Sequence, residues 1–156
     1  MSIIAPARRV NLLPAGIVAG IIGGILIDAF LVIANGTTPV VFWQYVASGF
    51  IGKAAYSAGS YAILGAVVHF AVSAIWGGIY ALVAQSGRPS LVNRPILSGV
   101  VFGLIVWATM LLARAAVHSY QPPVGKALVV ALIAHCIFFG LPIALYVSNA
   151  ARKALA

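Results

Sequence analysis

Four long apolar runs, separated by short polar or basic stretches, dominate the chain, at 14–35, 60–84, 95–117 and 127–148. A helix rising 1.5 Å per residue needs about 20 apolar residues to cross a hydrocarbon layer of about 30 Å, so each run predicts a transmembrane helix. Pro14 and Pro95 stand in the first turn, where a missing N–H costs nothing, and Gly36, Gly87 and Gly125 lie just past or before the runs. The first run is too long for a signal-peptide core and no A-x-A pattern closes it, so it reads as an uncleaved first span.

The stretch between the first two runs, 39–53, is apolar but too short to span. Thr38 is a suitable N-cap with Pro39 at the first helical position, followed by Phe42, Trp43, Tyr45, Val46, Phe50 and Ile51 up to Lys53. A short interfacial helix is expected, with Trp43 and Tyr45 at the headgroups; the alternative is a re-entrant segment packed against the other helices. Either would sit over one end of the spans, as a plain anchor or as a lid.

Composition agrees with this pattern and narrows the class. The chain is 63% hydrophobic and 6% charged, with a mean hydropathy of +1.14. A soluble domain carries about a quarter charged residues, so a water-soluble globule, a disordered tail and a nucleic-acid binder are excluded. The formal charge is +8, from nine Lys and Arg against a single acidic residue. These basic residues mark the ends of apolar runs and form no stripe, as topology signals do. Arg8, Arg9, Arg88, Arg94, Arg152 and Lys153 fall at one end of the spans, and Lys53 and Lys126 at the other, with Arg114 just inside the third span. Both termini are therefore expected in the cytoplasm, where the basic end would meet anionic headgroups. Cys136 is the lone cysteine, which excludes an internal disulfide and a cysteine metal cluster.

Helices in lipid associate through close packing of small residues, and the spans supply them at four-residue spacing. Gly16, Gly20, Gly24 and Asp28 share a face of the first span; Gly65, His69, Ser73 and Gly77 share one in the second. Gly99, Gly103 and Trp107, with Arg114 seven residues on, share one in the third, and Ala127, Ala131 and His135 one in the fourth. Such faces pack within one chain or between copies. Counting residues places Asp28, His69 and His135 in one layer, roughly 10 to 14 Å below the outer boundary.

A lone carboxylate in hydrocarbon is costly, so Asp28 either stays protonated or finds a partner among Arg114, His69 and His135. The plain reading pairs Asp28 with Arg114 and leaves the histidines to backbone carbonyls, Ser73 or each other. The functional reading makes the cluster a ligand, ion or proton site. Three chemistries suit it: a b-type haem between His69 and His135 in an aromatic pocket of Phe70, Trp107, Phe138 and Phe139; a metal held by His69, His135 and Asp28; and a proton-linked small transporter acting as an oligomer, in which Pro142 would kink the fourth span. Hydrolytic chemistry would want a second carboxylate, and the chain has none. His118, Tyr120, Gln121, Pro122 and Pro123 read as an outer turn and 88–94 as a short loop, while Trp76 and Tyr80 fit the inner aromatic belt as well as any binding role.

The run Gln44-Tyr45-Val46-Ala47-Ser48-Gly49, then Gly52, Gly65 to His69-Phe70, Arg94-Pro95 with Gly99 and Gly103, and His135 followed by Gly140-Leu141-Pro142-Ile143-Ala144 resembles a family of small four-helix bacterial inner-membrane proteins. The likeness covers most of the chain; it implies four spans in a bacterial inner membrane and carries no activity or catalytic residue. The expectation is thus an all-α polytopic membrane protein: a four-helix bundle with an outer interfacial or re-entrant helix. It is expected to be a non-enzymatic accessory or ligand-binding protein that self-associates or joins a membrane complex through its glycine faces.

Overall fold

The structure is a computed structural model that describes residues 10–117 and 123–155. Arg8, Arg9, His118, Tyr120, Gln121 and Pro122 lie outside the described residues. Among those described there is no strand. The helices are α1 (Leu13–Ala34), α2 (Pro39–Ile51), α3 (Tyr61–Gln85), α4 (Pro89–Asn93), α5 (Pro95–Val117), α6 (Lys126–Ile133) and α7 (Leu141–Leu155). A 3-10 segment, Gly52–Tyr56, follows α2, and a π-helical segment, Ala134–Gly140, joins α6 to α7. Four helical stretches are long and apolar enough to cross a membrane: Leu13–Ala34, Tyr61–Gln85, Pro95–Ala116 and Lys126–Ala154.

The boundaries follow local chemistry. Thr38 caps α2, its hydroxyl accepting from Val41 N at 3.3 Å, and Pro39 takes the first helical position as the sequence predicts. Gly36 (φ 60°) and Gly87 (φ 87°), at the ends of α1 and α3, hold left-handed backbone that other residues rarely adopt. At the start of α1 the amide of Leu12 donates to the side chain of Gln85, at the end of α3 (2.9 Å). The 88–94 stretch differs from the expected loop: Pro89 starts the short helix α4, where Val92 O accepts from Ser148 Oγ at 2.6 Å.

The fourth long helix departs from expectation twice. It continues to Leu155, beyond the predicted end at residue 148. It also bends into π-helical turns, with Leu141 N bonding Cys136 O five residues back, so the backbone absorbs the demand of Pro142 by widening.

The glycine faces are used inside the chain. A Cβ at Gly16 or Gly20 would collide with the backbone of Gly77 or Ser73, which brings α1 against α3. A Cβ at Gly103 would collide with His135 O, and one at Gly99 with Leu141 and Gly140, which brings α5 against the π segment and α7. α1 also packs on the π segment and α7, where Phe30 stacks on Phe138 with centroids 4.3 Å apart. The sequential packing is therefore α3, α1, the C-terminal helix and α5, and no comparable backbone packing joins α3 to α5.

Those two helices meet through side chains near α4. The Tyr80 ring lies edge-on to Phe102 at 4.9 Å, and Trp76 to the same ring at 6.0 Å. The Tyr80 hydroxyl donates to Leu91 O at 3.1 Å and shares a hydrogen bond with Ser98 Oγ at 2.9 Å. Tyr80 is thus a buried cross-brace between α3 and α5. Toward the other end α3 and α5 stay apart, and α2 lies over the gap.

Candidate functional site

Two features occupy the α2 end: a polar cluster on Asp28 and a large cavity beside it. Asp28 is buried on α1, at 8% exposure. The His69 ring reaches it from α3, with Nε2 at 2.9 Å from Asp28 Oδ1 and 3.2 Å from Gly24 O. The small residue Gly24 permits this approach, since a Cβ there would press on Ser73 and the His69 ring. The His69 N–H is aimed more nearly at the Gly24 carbonyl than at the carboxyl, so Oδ1 is held by proximity and makes no directed hydrogen bond. The other oxygen, Oδ2, accepts from the indole N–H of Trp43 at 3.0 Å.

Trp43 takes a partner the sequence did not suggest. α2 docks along α3 so closely that a Cβ at Gly65 would collide with Trp43 O, and this turns the indole inward to Asp28. Gln44, also buried, donates from Nε2 to Ala58 O at 3.0 Å. α2 packs mainly along α3.

Arg114 does not take the partner the sequence suggested. Its guanidinium donates to Tyr45 O at 3.2 Å and Ser48 Oγ at 3.3 Å, and lies 4.3 Å from the Tyr45 ring centroid. It ties the end of α5 to α2, while the side chain closest to Asp28 Oδ1 is His69. His135, within the π segment, turns back on its own helix, with Nδ1 at 2.8 Å from Ala131 O. The structure thus brings Asp28 and His69 together, adds Trp43, and leaves Arg114 and His135 on other partners.

Arg114, His69 and His135 meet instead as lining of one cavity of about 630 Å³ between α3 and α5, roofed by α2. Its wall is mostly apolar: Ile27 and Leu31 from α1, Val68 and Val72 from α3, Val106 and Met110 from α5, and Val130 from α6. Trp76 and Phe139 are at its walls, as is Trp107, and Tyr45, Phe50 and Tyr56 are partly exposed at its rim. The volume falls in the range of about 300 to 1,000 Å³ that small-molecule pockets take.

The donor set limits what chemistry fits. Among the described residues no three His, Cys, Asp or Glu side chains gather closely enough to hold a metal ion, so the set Asp28, His69, His135 is not assembled. A haem ligated through both Nε2 atoms would require His69 Nε2 to leave Asp28 and Gly24, so the rings as arranged do not fit a bis-histidine haem. The comparisons add no identity: no family model, curated protein or solved structure matches the chain.

Trp43, Gln44 and Ser48 are the site residues that sequence reasoning missed. The one available signal was the amphipathic break in 39–51, where Gln44 interrupts an apolar run and marks the face turned inward.

Proposed function

We propose that this chain spans a bacterial inner membrane four times, with both termini in the cytoplasm, and acts as a non-enzymatic binding protein. Its ligand is an apolar small molecule held in the cavity between α3 and α5. The observation that carries this reading is the cavity itself: about 630 Å³ of mostly apolar space, with His69, His135 and Arg114 as convergent polar groups. A protein that used its small-residue faces only for tight packing would close α5 onto α3 as it closes α1 onto α3. Here α2 holds the gap covered without filling it.

Placement in the membrane is supported by the four apolar helices and by their outward side chains, such as Ile25, Ile33, Val67, Ile75 and Leu112, which are large, apolar and exposed. The orientation rests on the basic residues at the α4 end. The resemblance to small bacterial inner-membrane proteins supports the compartment. Because the glycine faces are taken up within the chain, association with a second copy or a partner would run through the outward apolar flanks.

The test is mass spectrometry of the protein released intact from mild detergent. The wild-type protein is expected to carry an added apolar mass at one equivalent, and Val72→Trp, which fills the cavity from α3, to lose it. Identical spectra for the two, with no stoichiometric addition, would overturn the proposal.

A further inference from the structure

The polar atoms on the cavity wall select among apolar ligands, and this deepens the binding reading on which it rests. His135 Nδ1 lies 2.8 Å from Ala131 O. A carbonyl oxygen only accepts, so in the neutral ring the proton is on Nδ1 and the lone pair on Nε2, at the ring edge away from the backbone. His69 is fixed the opposite way. Its Nε2 faces two acceptors, Gly24 O at 3.2 Å and Asp28 Oδ1 at 2.9 Å, so Nε2 carries the proton and Nδ1 of the neutral ring keeps the lone pair. Neither lone-pair nitrogen makes a hydrogen bond to the described residues, and both rings line the cavity.

Two acceptor nitrogens therefore border a mostly apolar space. The guanidinium of Arg114 and the indoles of Trp76 and Trp107 on the same wall are donors, and they suit a ligand with any oxygen atom. The imidazoles do not. An ether or a ketone would set lone pair against lone pair, and a pure hydrocarbon would leave both nitrogens without a donor. An O–H group gives one of them its donor.

We infer that the cavity takes an apolar molecule bearing a hydroxyl donor, a phenol or a long-chain alcohol, with His135 Nε2 as the acceptor of its one proton and His69 Nδ1 as the alternative acceptor. Asp28 is a positioning residue in this scheme: with Gly24 O it fixes the proton of His69 on Nε2. The π-helical turn is part of the same arrangement, since His135 sits within it and projects from a backbone whose register differs from the α-helix on either side.

The experiment titrates the full chain, labelled with ring-¹⁵N histidine in detergent micelles, with 4-nonylphenol and with its methyl ether 4-nonylanisole. The two probes share an apolar body and differ in the donor. The resonances are assigned with His69→Phe and His135→Phe, and affinity is read as the probe mole fraction in the micelle at half-saturation. The phenol is expected to move the His135 Nε2 resonance in the direction of hydrogen-bond acceptance and to bind about tenfold more tightly than the ether, as one added hydrogen bond to a buried acceptor would give. His135→Phe should bring the two affinities together while the ether still binds, and His135→Gln, which restores an acceptor oxygen, should recover part of the preference.

Equal affinity of phenol and ether for the wild-type protein would overturn the inference and leave the binding function standing. Probes that bind the wild-type protein no better than they bind Val72→Trp would overturn both. The resonance of the unaltered protein decides the matter even where a histidine variant fails to fold.

Discussion

The indole N–H of Trp43 donates to Asp28 Oδ2 at 3.0 Å, which ties the short helix α2 to the acidic residue of α1. The same carboxyl group faces His69 at its other oxygen, so one side chain joins α1, α2 and α3. Buried polar atoms in apolar surroundings are costly when unpaired, and a carboxyl with two oxygens can hold two helices at once. The roof over the cavity is thereby fastened at its inner face by Trp43 and on the α5 side by Arg114.

Trp43→Phe keeps a large aromatic ring under α2 and removes the donor. A single hydrogen bond between helices of this kind contributes about 0.5 to 2 kcal/mol. Detergent-solubilised Trp43→Phe is expected to unfold at lower temperature or denaturant than the wild-type protein, and hydrogen exchange should quicken in 39–51 more than in α5. Unchanged exchange in that segment would show that docking against Gly65 alone holds α2.

The glycines separate into two groups with opposite expected signs. Gly20→Ala and Gly103→Ala drive a methyl group into the backbone of a neighbouring helix and are expected to destabilise by about 1 to 3 kcal/mol or more. Gly78→Ala meets only side-chain atoms, Leu13 Cδ1 at 3.3 Å and Ile17 Cγ1 at 3.8 Å. There the higher helix propensity of alanine, worth up to about 1 kcal/mol, should leave stability unchanged or raised. Equilibrium unfolding of the three variants in one detergent reads both signs.

How much of this was legible in the sequence depends on the range of each interaction. The four long helices follow from runs of about 20 apolar residues, and Thr38-Pro39 marks the start of α2 because capping is a local matter. The matched depth of Asp28 and His69 was visible because helical rise is regular. The partner of Asp28 was not. Arg114 has reach and charge in its favour, but Tyr45 O and Ser48 Oγ on α2 lie nearer its head, and where α2 lies is set by the close approach at Gly65. His135 shared the layer and yet turned to Ala131 O, since a backbone acceptor one turn back is always within reach. The cavity could not be read at all, because it is a gap between α3 and α5 that only the packing of four helices defines.

Arg114→Lys and Arg114→Met test the α5 side of the roof. Lysine keeps the charge and loses the planar fork that serves both Tyr45 O and Ser48 Oγ; methionine loses charge and donors together. Both are expected to loosen α2, methionine the more, at a total of about 1 to 3 kcal/mol. Accessibility of a cysteine placed at Ala47, a buried position facing α3, gives a direct readout in a Cys136→Ala background. It should label faster in the order wild type, lysine, methionine.

The coupling of Asp28 to its two partners can be measured with two double-mutant cycles. Asp28→Asn is not a neutral replacement. Asn has one carbonyl oxygen and one NH₂, while Asp28 faces two N–H groups, those of Trp43 and His69. The amide can accept from one and must turn a donor toward the other. If the oxygen serves Trp43, whose bond is the directed one, the NH₂ confronts His69 Nε2 and displaces the ring or reverses its tautomer. The cycle of Asp28→Asn with His69→Phe should then show a coupling of about 1 to 3 kcal/mol, because removing the ring removes the clash that the first substitution creates. The cycle with Trp43→Phe should show a smaller coupling, since the amide can keep that bond. Equal couplings would mean that the amide settles in either orientation. A larger one with Trp43 would mean that the oxygen turns to His69 and that the ring, more than the roof, decides how this position is used.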